Sequence, residues 1–169
     1  MRMAGTNLQL LKRSTTAPKM GDIFTMKLPS GDYLFGRVII GNAPRHRAPM
    51  PQANLIYVYR WRSKSPKPEF SELKANNLLI PPVWTNQLPW TKGYFEIIEH
   101  SSLAKSDVLT QHCFSRAPLD SSKPTDFVDE VGAKLSHRSE PCGEWSLVSY
   151  RWIDDRISDA VGIPRAPQS

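Results

Sequence analysis

The chain has 169 residues, 40% of them hydrophobic and 22% charged, which suits a soluble protein of one domain with a real core. No apolar run approaches the about 20 residues of a membrane-spanning helix, and two cysteines are too few for a four-cysteine zinc site. Lys and Arg outnumber Asp and Glu by 22 to 16, a net charge of +6, so partners of opposite sign are favoured over acidic mimicry.

Residues 1–19 show no periodicity and are expected as a mobile N-terminal arm, ahead of one β-rich domain at 20–164 and a tail at 165–169. The arm's apolar centre, "LQLL", is too short for a secretory leader and is followed at once by Lys12 and Arg13, so a cytoplasmic location is expected. Fifteen prolines against nine glycines indicate short elements joined by stiff turns. Alternation predicts a strand over Ile23–Leu28 and another over Tyr33–Ile40, and Pro29-Ser30-Gly31-Asp32 carries the turn chemistry of a hairpin. Gly36 inside the second strand marks a bulge or a close approach. Residues 41–53 are a proline-broken loop, and "LIYVYRWR" reads as the third strand.

A short helix is expected over Phe70–Asn77. "LLIPPVWTNQLPW" cannot be a regular helix, because Pro81, Pro82 and Pro89 interrupt it, and is expected as a loop lid. "GYFEIIEH" predicts a fourth strand, "AKSDVLT" a single helical turn, "HCFSR" a fifth strand and "FVDE" the start of another. "AKLSHRS" is expected to pair with "WSLVSYRW". The closing "IDDRISDAVGI" reads as a helix with Asp154 and Asp155 in its first turn and Gly162 as its stop. The sum is a mostly β fold, an antiparallel curved sheet or small barrel with a C-terminal helix.

Charge is uneven along the chain. Residues 41–68 hold Arg45, Arg47, Arg60, Arg62, Lys64 and Lys67 with no acid, whereas Asp126, Asp129, Glu130, Glu140, Glu144, Asp154 and Asp155 come later. Cys113 and Cys142 lie in a chain expected to be cytoplasmic, so no structural disulfide is expected between them.

"GDIFTMKLPSGDYLFGRV", "LLIPP", "PWTKGYFE", "QHCF", "DE" with Gly132, and "PCGEW" occur in that order. Together they resemble the immunity protein 26 family, which also carries the label of the HocA-type phosphotriesterases. The resemblance spans residues 21–163. It implies either a protein that binds and neutralises a bacterial toxin or a hydrolase of organophosphate triesters, and it transfers no catalytic residue.

Of the two, the hydrolase is the expected activity. Splitting a neutral phosphotriester needs hydroxide near neutral pH and an apolar pocket for the ester groups. A divalent metal cation meets the first need by acidifying a bound water, and aromatic walls meet the second. The candidate metal ligands are His100, His112, His137 and Asp129, and Trp84, Trp90, Tyr94 and Trp145 are candidates to bind substrate. His112, Glu130 and Cys113 are the candidate catalytic groups, with a Cys113 or Cys142 thiolate as a metal-free nucleophile.

Each has a structural alternative. His112 and Cys113 are neighbours on a strand and point to opposite faces; Cys113 also reads as a small core residue and Cys142-Gly143 as a turn. His100 reads as a solvated strand end, Asp129-Glu130 as a turn, and the two tryptophans as core. Nucleic acid is not expected as a partner, because alternation in "YVYRWR" puts Tyr57, Tyr59 and Trp61 on one face, where they serve the core.

Overall fold

The computed structural model describes residues 5–168. Strand β1 (Asp22–Lys27) pairs antiparallel with β2 (Tyr33–Ile40) through the hairpin expected at residues 29–32, with Phe24 opposite Gly36. A Cβ at Gly36 would stand 2.2 Å from the Phe24 ring and 2.7 Å from the Tyr57 carbonyl oxygen. The glycine is thus the close approach its position suggested, letting an aromatic ring cross the strand. Strand β3 (Asn54–Ser63) pairs with β2 and β4 (Leu78–Thr85) with β3. The four-residue helix α1 (Leu88–Thr91) then turns the chain, and β5 (Glu96–His100) returns along the outer edge of β1.

The second half builds a smaller sheet from β6 (Cys113–Arg116), β7 (Asp126–Val128) and β8 (Cys142–Glu144), in the order β7-β6-β8. Strand β9 (Leu147–Val148) rejoins the first sheet parallel to β4, giving β5-β1-β2-β3-β4-β9, and helix α2 (Tyr150–Val161) follows. The mostly β fold with a C-terminal helix is therefore as expected. The two sheets are curved and open, not closed into a barrel.

The large sheet is buried on both faces, and successive side chains along its strands go to two different cores. Along β3, Ile56 and Val58 face a core shared with Phe24, Met26, Leu34, Trp90, Phe95 and the α2 residues Ile153 and Ile157. Leu55, Tyr57 and Tyr59 face the opposite core, with Phe35, Trp84, Phe114 and Val128. Each such side chain contributes about 1.5–3 kcal/mol by leaving water.

Four local expectations are corrected. Residues 78–85 are a strand inside the sheet, not a lid: Ile56 pairs with Val83 and Val58 with Ile80, so Pro81 and Pro82 together oppose Tyr57. The prolines sit in a bulge, where no ladder hydrogen bond is asked of their nitrogens. The helix expected at 70–77 is only a 3-10 turn, Phe70–Glu72, and Cys142 lies on a strand, not in a turn. The stretch 133–139 does not pair with 145–152; Lys134 bridges Val128, while Leu147 and Val148 pair with Trp84 and Thr85.

Helix α2 starts at Tyr150, where the Ser149 hydroxyl caps it by accepting from the Trp152 N–H, and ends at Gly162 with φ 78°. Asp154 and Asp155 therefore lie in the second turn. Asp154 instead accepts from the backbone N–H groups of Asn7 (2.9 Å) and Leu8 (2.8 Å). With Leu8 buried, residues 7–14 of the stretch read as an arm lie along the domain, bonded further to Lys27, Gly93 and Trp90.

Candidate functional site

The residues singled out around His112 do meet, but chiefly with one another. His112 lies just before β6 and is buried. Its ring stacks on Phe114 at 6.2 Å, while Cys113 between them faces the other way, as strand alternation requires. The Tyr57 hydroxyl stands 2.6 Å from His112 Nε2, and the Leu109 N–H donates to the same hydroxyl at 3.1 Å. Glu130 Oε2 lies 3.3 Å from Nδ1 and a carboxylate can only accept, so Nδ1 carries the ring hydrogen and Nε2 accepts from the phenol.

Burial holds the His112 pKa below its ordinary value against the opposing pull of the Glu130 carboxylate, and burial pushes the Tyr57 phenol up to about 12. The result is a chain, Tyr57–His112–Glu130, in which an uncharged imidazole stands between a phenol and a carboxylate and both its nitrogens are occupied. Its outer end borders a hollow of about 340 Å³ lined by Met20, Ile39, Ile40, Leu103 and Val108.

The four candidate metal ligands do not converge. His100 pairs with Asp22 at 2.8 Å at the end of β5, His137 shares a hydrogen bond with Ser136 on the surface, and Asp129 accepts from the N–H groups of Val131 and Ala133 to close a turn. Among the described residues no three His, Cys, Asp or Glu side chains are placed to hold one metal ion. His100, His112, His137 and Asp129 therefore do not form one ligand set for a divalent cation.

The aromatic candidates divide between the two cores. Trp84 and Trp145 meet edge to face at 5.8 Å beside Phe114, on the His112 side. Trp90 packs against Phe24 and Phe95 on the far side of the sheet, and Tyr94 stacks on Tyr150. Trp84 and Trp90 are fully buried and form walls of the core. Tyr57 and Tyr59 are equally buried, and Trp61 is stacked on Phe35 at 5.1 Å, which leaves β3 without an open stacking platform for bases.

Neither Tyr57 as a partner of His112 nor the meeting of the two cysteines was legible in the sequence. Tyr57 sits in a run of alternating strand residues with nothing to mark its hydroxyl. Cys142 looks like part of a turn, yet it stands opposite Cys113 in the parallel pairing of β6 with β8, with the two sulfurs 3.1 Å apart and both thiols free. A cavity of about 490 Å³ adjoins Cys142 between the outer edge of β4 and α2, bordered by Pro82, Val83, Trp84, Trp152 and Arg156.

Comparison with known families matches residues 19–124 to Immunity protein 26. No curated protein matches, and no solved structure does. The match is narrower than the span over which motifs were noted, ending before β7, and it lends no support to the phosphotriesterase half of the resemblance. Because it takes in more than half of the chain, including β1 to β6 and the His112-Cys113 pair, the protein belongs to the immunity protein 26 family.

Proposed function

We propose that the protein is an immunity factor that works by binding a toxin protein and neutralising it. Membership of the immunity protein 26 family carries this reading. The side-chain geometry agrees with it. A hydrolase needs a free base or a metal-bound hydroxide beside an open pocket, whereas here His112 is engaged at both nitrogens and the candidate ligands lie apart. A binding protein needs only a surface.

The charge indicates which kind of surface. A chain at +6 is ill suited to mimic a nucleic-acid backbone, and complementarity favours a toxin with an acidic face. The exposed Arg60 and Arg62 on the outer half of β3, followed by Lys67 in the next loop, offer the matching sign, while Lys64 is paired with Asp32.

The test is co-expression with the toxin that this reading places beside the gene. The toxin alone should arrest growth, the pair should restore it, and the two chains should co-elute on gel filtration. Arrest that persists with both chains made and no complex formed would overturn the reading. Purified protein should also leave a chromogenic aryl phosphotriester uncleaved above a boiled control, with or without a chelator.

A further inference from the structure

Cys113 and Cys142 face each other in register on neighbouring parallel strands. Strands in one sheet lie about 4.8 Å apart, inside the Cα separation that a disulfide spans, and the sulfurs are already 3.1 Å apart. The two thiols differ in access. Cys113 is 1% exposed and takes a hydrogen bond from the Ser139 N–H at 3.5 Å, whereas Cys142 is 9% exposed and borders the cavity of about 490 Å³. A cavity of that size admits a tripeptide-sized molecule. Among the described residues no metal-binding trio forms around the pair.

We propose that Cys113 and Cys142 are a modification site, a dithiol that a small disulfide of the glutathione class oxidises to an intramolecular disulfide tying β6 to β8. One half of the reagent enters the cavity and the Cys142 sulfur, having lost its proton to water, attacks the reagent sulfur of that half. The reagent S–S bond breaks, a mixed disulfide forms on Cys142 and one reagent thiolate leaves and takes up a proton. Cys113 then loses its proton and attacks Cys142 Sγ, expelling the second reagent thiol. The two protein thiols lose two electrons in all, and the reagent disulfide gains them as it becomes two thiols.

Burial and the adjoining Cys113 sulfur, with a smaller push from Glu140 and against the opposing charge of Arg138, hold the Cys142 thiol up at about 12. The first step is therefore slow at neutral pH and quickens about tenfold per pH unit.

The experiment treats the full chain with oxidised glutathione under native conditions and reads intact mass, then peptides. The expected product has lost two hydrogens, yields a cross-linked peptide containing Cys113 and Cys142, and reverts with a thiol reductant. Its melting midpoint should lie about 5 °C or more above that of the reduced form. Cys113→Ser should stop at the glutathione adduct on Cys142, and Cys142→Ser should stay unmodified. Two free thiols in wild-type protein after prolonged treatment at pH 9 would overturn the proposal. So would a Cys142→Ser variant that takes the adduct on Cys113 as fast as Cys113→Ser takes it on Cys142.

Discussion

Tyr57 sits where a phenol is costly to bury, and the hydroxyl is kept there by work on both sides: it accepts from the Leu109 N–H and donates to His112. Tyr57→Phe would leave a buried N–H and a buried imidazole nitrogen unpaired, at a cost of about 1–3 kcal/mol, readable as a lower denaturation midpoint at pH 7. The imidazole itself sets a pH dependence. Its pKa is lowered in the fold, below the 6.5 of an unperturbed histidine. The unfolded chain therefore takes up a proton as pH falls through about 6.5 while the folded protein does not. His112 thus contributes full stability above that pH and loses it as pH drops toward the folded value. Denaturation midpoints measured at pH 7, 6 and 5 should fall more steeply for wild type than for His112→Gln, although the variant is less stable at pH 7. Equal slopes would show that folding leaves the His112 pKa unshifted.

Among the elements, α2 does more than cover one face of the sheet. Its Asp154 carboxylate takes two backbone N–H groups from a segment nearly the whole chain away, and Asn7 Nδ2 also reaches Ser158 Oγ (2.8 Å) and the Pro164 carbonyl (2.7 Å). Asp154→Ala should cost about 2–4 kcal/mol, two charge-assisted bonds with both donors left behind. It should also speed proteolytic cleavage within residues 5–19. An unchanged cleavage rate would place the fastening elsewhere. The aspartate looked from sequence like a dipole-compensating residue of a first turn, because helix starts are read from local chemistry; the cap is Ser149, five residues earlier. Strand β4 misled for a similar reason. Two adjacent prolines forbid a regular ladder, but a bulge opposite a single residue removes the demand, and only pairing with β3 reveals the bulge.

At the scale of the whole molecule, charge is the property that bears on partners. Arg60→Glu with Arg62→Glu should leave stability within about 0.5 kcal/mol, since both side chains are exposed. It should slow association with the toxin by about tenfold or more at low ionic strength and flatten its salt dependence, measured by stopped-flow mixing. An unchanged rate would mean that the partner docks on another face. Much of the architecture was readable from the chain alone. Alternation, turn residues and the lone Gly36 specify the first hairpin, the third strand and a β-rich fold, because each of those signals acts over a few neighbouring residues. The meetings that matter for chemistry were not readable. Cys113 finds Cys142 across 29 positions, Tyr57 finds His112 across 55, and Leu8 finds Asp154 across 146. Contacts at such separations are decided by strand order and register, which arise only when both faces of the large sheet are buried at once.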